Sequence, residues 1–102
     1  MRTVRSNWQL TATGEVSVWI TYDETSTNPP NRVESVRVQN TDDFMTARVI
    51  VHPSGDPITV AMQQDFGPNT DQTFSLRNNQ NFDWEDFWCS ITMVELLRAA
   101  KR

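Results

Sequence analysis

Apolar residues recur at every second position along much of this chain, in short runs separated by Gly, Pro, Asn and Asp. Trp8, Leu10 and Ala12 share one parity, and Val16, Val18, Ile20 and Tyr22 keep it beyond Gly14. Residues two apart fall on one face of a β-strand. The pattern reads as one long strand bent at the glycine, with two strands joined at a glycine bulge as the other reading. The segment Asp23–Asn31 has no apolar residue and ends on Pro29 and Pro30. It reads as an exposed loop, stiffened at its end, and as the longest candidate for a contact loop.

Val36 and Val38 mark a strand over 32–40, Asn40–Asp43 a turn, and Ala47, Val49 and Val51 a strand over 44–52. A short polar turn between two such runs predicts an antiparallel hairpin. Pro53–Pro57 is a second turn, and Ile58, Val60 and Met62 alternate after it. Phe66–Asp71 breaks the chain, Phe74 and Leu76 mark a short strand, and Asn78–Asn81 reads as a polar loop. Phe87, Cys89, Ile91 and Met93 define a last strand. Its end is apolar on both parities, as in a central strand or one covered on both faces. Arg98–Ala100 can curl into a helical turn. About seven strands at this spacing predict an all-β fold, a two-sheet antiparallel β-sandwich, in preference to a barrel. There is no internal repeat.

A chain of 102 residues has room for one domain with its own core, without a metal or disulfide staple. The expectation is a single β-sandwich domain over 1–102 with short basic tails at both ends. No apolar run approaches the ~20 residues that span a bilayer as a helix, and the mean hydropathy is −0.56. The start, Met1–Ser6, lacks the apolar stretch of a secretory signal, so synthesis in the cytoplasm is expected. Cys89 is the only cysteine and no Asn-x-Ser/Thr sequon occurs, which agrees with a reducing compartment.

Charge is unevenly placed. Five of the nine basic residues, Arg2, Arg5, Arg98, Lys101 and Arg102, lie in the two terminal stretches, while all thirteen acidic residues lie between Glu15 and Glu95. Four basic against thirteen acidic side chains leave the body at −9 and the tails at +5. Such a body repels a phosphate backbone, so nucleic acid is not expected as partner. The basic ends can reach an acidic neighbour, and Arg2, Arg5, Arg98, Lys101 and Arg102 are interface candidates.

Candidate chemistry is sparse. The segment Asn81–Trp88 concentrates Trp84, Trp88, Phe82 and Phe87 with Asp83, Glu85 and Asp86. Indoles beside carboxylates suit a sugar platform or a protein contact; the plainer reading is an aromatic plug at the end of the sandwich. Asp83 and Glu85 share a strand face, yet a domain this small offers no evident cleft to exclude water from a glycosidic bond. Asp42-Asp43 and Asp23-Glu24 lie in turns where Asx geometry explains them, without an EF-hand pattern. One histidine, His52, and one thiol, Cys89, fall short of a zinc set. His52 precedes Pro53 at a strand end, a poor start for a Ser-His-Asp arrangement, and Cys89 shares the parity of Phe87 and Ile91, as a buried thiol would. No catalytic, cofactor-binding or metal residue is assigned, and no enzyme is expected. Trp19 lies off the apolar parity between Val18 and Ile20 and is expected to point outward. With Trp84 and Trp88 it completes the interface candidates.

The run Val36–Asn40, then Thr46–Val51, then Thr73–Leu76 resembles immunoglobulin-like and fibronectin-type sandwiches in its order of strand, turn, strand, long connection and short strand. In profile the chain also resembles the small virion proteins of tailed bacteriophages, capsid decoration or tail-associated subunits. That resemblance implies a non-enzymatic structural module that binds protein subunits of a larger assembly, copies of itself among them, and that is incorporated in a virion. A carbohydrate-binding module using Trp19, Trp84 or Trp88 is one alternative. An adaptor or inhibitor domain docking on one protein through Asp23–Asn31 is the other.

Overall fold

The computed structural model describes residues 1–52, 60–76 and 88–94. Within them the chain is all-β, with seven strands: β1 Arg2–Leu10, β2 Glu15–Thr27, β3 Pro30–Asn40, β4 Thr46–His52, β5 Met62–Phe66, β6 Thr70–Ser75 and β7 Trp88–Val94. They form a four-stranded sheet, β1-β2-β3-β6, and a three-stranded sheet, β5-β4-β7. Every pairing is antiparallel. The two-sheet architecture is that of a β-sandwich. The order is particular: β3 stays in the sheet of β1 and β2 as the third strand of a meander, whereas the third strand of the immunoglobulin order lies in the opposite sheet.

The core is where the alternation places it. Val16, Val18 and Ile20 of β2, Val36 and Val38 of β3, and Ala47, Val49 and Val51 of β4 are fully buried, joined by Val33, Phe66, Leu76 and Cys89. β-branched side chains dominate because they suit both the extended backbone and a flat packed layer. Phe66 and Phe74 meet edge to face, with ring centroids 5.7 Å apart. The open edges are stitched by amides. Asn7 Nδ2 donates to the Cys89 carbonyl at 2.8 Å between β1 and β7. Gln64 Nε2 donates to Gln72 Oε1 at 3.4 Å between β5 and β6.

Several expectations are corrected. Trp8–Tyr22 is not one bent strand but part of a hairpin of β1 and β2, closed by the Thr11 amide on the Gly14 carbonyl at 2.9 Å and the Gly14 amide on Thr11 Oγ1 at 3.0 Å. A Cβ at Gly14 would lie 2.6 Å from the backbone carbonyl of Thr41, so close approach of the two turns requires the glycine. Asp23–Asn31 is not a free loop. It is the end of the β2–β3 hairpin, with Asp23 paired to Arg32 and Thr27 to Pro30, because ladder bonds need backbone groups and not apolar side chains. The Asn28–Pro29 peptide is cis, and Asn31 takes a left-handed φ of 53°.

The predicted hairpin of β3 with β4 does not form. β3 pairs with β2 and β6, β4 pairs with β5 and β7, and residues 41–45 carry the chain from one sheet to the other. β4 begins at Thr46, leaving Phe44 in the connection. Of the expected alternation of Ile58, Val60 and Met62, Ile58 lies outside the described residues, Val60 is exposed and outside a strand, and Met62 opens β5. Among the described residues β7 lies at the edge of its sheet and not at the centre. The expectations for Pro53–Pro57, Asn78–Asn81, Asn81–Phe87 and Arg98–Ala100 lie outside the described residues.

Candidate interaction surface

The outer face of the four-stranded sheet gathers what the alternation kept apart. β1 and β2 pair Arg5 with Trp19, then shift so that Asn7 meets Val18 and Trp8 meets Ser17. Ser6 is the extra residue of a β-bulge, which reverses the parity of β1. Arg5 on one side of the bulge and Trp8 and Leu10 on the other therefore project from the same face as Trp19. This corrects the placement of Trp8 and Leu10 with the core: Trp8 is 49% exposed and Leu10 68%.

The three large side chains form a layered contact. The Arg5 guanidinium carbon lies 5.0 Å from the Trp8 ring centroid and 5.7 Å from that of Trp19. A cation against an indole face gains about 0.5–1 kcal/mol at an exposed site. Arg5 also reaches Glu15, Nη1 to Oε1, at 3.8 Å. That separation is beyond hydrogen-bond length. On the far side of Trp19 its register partner is Arg37, which makes a bidentate pair with Asp71 at 2.9 and 2.7 Å. That pairing raises the Arg37 pKa and lowers that of Asp71, through the hydrogen bond first and the charge second. Trp19 itself is half-buried, and its indole N–H is buried without a hydrogen-bond partner.

Arg2 and Arg5, expected as a basic tail, are residues of β1, with Arg2 opposite Tyr22. They are thereby fixed to the sheet instead of trailing from it. Trp88 lies on β7 of the other sheet, where it stacks on His52 at 4.0 Å with an interplanar angle of 17°. It does not join the Arg5–Trp19 surface. Trp84, Arg98, Lys101 and Arg102 lie outside the described residues.

One end of the sandwich is organised by polar groups. The Asp42 carboxylate, fully buried, accepts the amides of Phe44 at 2.8 Å and Met45 at 2.7 Å, and that of Thr13 at 3.4 Å. The Thr11 hydroxyl and these amides hold its pKa well below the usual carboxylate range. Such a carboxylate caps backbone donors. Asp23 is likewise engaged, with Thr25 Oγ1 at 2.6 Å and the Thr25 amide at 2.9 Å on its Oδ1. Beside the Asp42 cap, Phe44 is 70% exposed, a position that no alternation signals because it falls in an irregular connection. Elsewhere, burial pushes the Cys89 thiol up to about 12, and a hydrogen bond to Ser6 pulls weakly the other way. The His52 Nε2 and Ser90 Oγ stand 3.5 Å apart.

Comparison with known proteins returns no match. No family model matches the chain, and neither does a curated protein or a solved structure. Among the described residues no helix is long and apolar enough to cross a membrane.

Proposed function

We propose that this chain is a non-enzymatic structural module that binds other protein subunits in a larger assembly, in the manner of the capsid decoration or tail-associated proteins of tailed bacteriophages. The observation that supports it is the exposed face of Trp8, Arg5, Trp19 and Leu10 on a regular sheet. Tryptophan and arginine are enriched among the residues that carry most binding energy at protein interfaces. A sheet holds them in place before the partner arrives, which lowers the ordering cost of binding. The engaged states of Asp42 and Asp23 and the protonated thiol of Cys89 favour binding over catalysis.

A glycan reading draws on the same half-exposed Trp8 indole, since a flat indole suits a sugar ring. Arg5 already lies over both indoles, which leaves less free ring face for a sugar and favours the protein reading. The test is size-exclusion chromatography with light scattering at low and high salt, alone and with an extract of the source. A salt-sensitive oligomer, or co-migration with a large particle that Trp8→Ala abolishes, supports the module. A monomer at every salt that ignores the particle fraction sinks it, and a glycan array then decides the alternative.

A further inference from the structure

Phe44 is exposed in a segment whose backbone is fixed from both sides. The Asp42 carboxylate holds the amides of Phe44 and Met45, the Asp43 amide donates to Thr13 Oγ1 at 2.9 Å, and Asn69 Nδ2 donates to Asp43 Oδ1 at 3.2 Å. A phenyl group is thus carried on a rigid connection with a carboxylate as its neighbour. On β1 the Arg5 guanidinium lies over the Trp8 indole, its carbon 5.0 Å from the ring centroid. The two pairs are chemical complements. Carboxylate and guanidinium make charge-assisted hydrogen bonds, and phenyl and indole rings pack with each other.

We infer that the subunit received on the β1 face is a second copy of this chain, with Asp43 and Phe44 of each copy seated against Arg5 and Trp8 of the other. The inference rests on the subunit-binding reading above and names its partner. Charge supports self-recognition: residues 1–14 carry Arg2 and Arg5 and no acidic side chain, while the remainder carries seven basic against thirteen acidic residues. Donor and acceptor also occupy the same end of the molecule. Leu10 leads into the Thr11–Gly14 turn, and Thr13 of that turn accepts the Asp43 amide. A two-fold axis at this end lets each copy give and receive at once, the self-complementarity that an isologous dimer needs.

The experiment exchanges charges between copies. Arg5→Glu alone sets Glu against Asp43, and Asp43→Arg alone sets Arg against Arg5, so each purified variant is expected to be monomeric by sedimentation equilibrium where the wild type is dimeric. Mixed in equal amounts, the two variants regain opposite charges at both contacts, and the dimer is expected to return. Phe44→Ser, with a melting curve to show that it folds, is expected to lose the dimer without affecting the charges. A wild type that stays monomeric up to millimolar concentration, a dimer untouched by Arg5→Glu, or a mixture that stays monomeric overturns the inference. If these fail while the wild type still co-migrates with a particle, the subunit-binding reading stands and the partner is a different protein. If co-migration fails too, both fall.

Discussion

The side-chain oxygen of Asn40 accepts the backbone amide of Asp42 at 3.0 Å, and both residues are fully buried at the point where the chain leaves one sheet for the other. Asn40 Nδ2 meanwhile donates to the carbonyls of Met45 at 3.0 Å, Phe66 at 3.0 Å and Gly67 at 3.1 Å. One amide thus serves the crossing 41–45 and the return through Gly67. The Phe66 carbonyl is buried and those of Met45 and Gly67 are part-buried, so the Phe66 carbonyl above all needs a partner inside the protein.

Asn40→Ala is therefore expected to destabilise by at least the ~1–3 kcal/mol of one unmet buried polar group, read as a lower urea midpoint. Asp42→Asn has a pH signature. The folded carboxyl is held below its ordinary value, so its contribution is complete above the unfolded value of about 3.9. It is lost as pH falls from there towards the folded value. The urea midpoint of Asp42→Asn should fall below the wild type at pH 7, and the gap should narrow at pH 3. An equal gap at both values would show that the charge is not the cause.

This crossing also marks the limit of what the sequence conveys. The parities of Val36 and Val38, and of Ala47, Val49 and Val51, are legible because each strand has one face in the core. Asn40-Thr41-Asp42-Asp43 looks like a hairpin turn because polar residues are read as solvated; two of them are buried caps instead. At β1 the misreading has another source. A single extra residue at Ser6 moves Trp8 and Leu10 to the outer face, and periodicity has no means to show a bulge formed by a serine. Nor does it show Arg5 over two indoles, which is a relation between strands.

Trp8 and Phe66 separate surface from core. Phe66→Ala empties a buried site and is expected to cost about 3–5 kcal/mol. Trp8→Ala removes an exposed ring and one cation contact, so its cost should stay within about 1 kcal/mol. Chemical denaturation of both variants checks this, with partner binding measured on the same samples. A Trp8→Ala loss as large as that of Phe66→Ala would make the indole structural and remove it from the interface.

Gly14→Ala tests the contact between the two turns at the crossing end. The added methyl would stand 2.6 Å from the Thr41 carbonyl carbon, its oxygen and Thr41 Oγ1. Two of these are backbone atoms, and the Thr41 hydroxyl is itself bonded to the Glu15 amide at 2.9 Å and the Glu15 carbonyl at 3.1 Å. Overpacking of this kind costs about 1–3 kcal/mol. A lowered melting temperature is expected, with hydrogen exchange of the Thr41 amide, bonded to the Glu15 carbonyl at 2.9 Å, speeding up in particular. Unchanged exchange at Thr41 would mean that the turns can part without loss.

Cys89 offers a last test, of burial at the edge where β1 meets β7. Its thiol sits inside the core with the Asn7 amide on its own carbonyl, and burial raises its pKa to about 12. At pH 8 the thiolate, which is the reactive form, is scarce in the folded chain, and the sulfur is shielded as well. A disulfide reagent is therefore expected to label the folded protein slowly and the urea-unfolded protein at the rate of a free thiol. Asn7→Ala removes the stitch between the two edges, so labelling in native buffer should accelerate while the global urea midpoint moves little. Fast labelling of the untouched protein at pH 8 would place the thiol in water and contradict the packing of β1 over β7. Acceleration in step with a large fall in the midpoint would mean that the edge opens only with the whole fold.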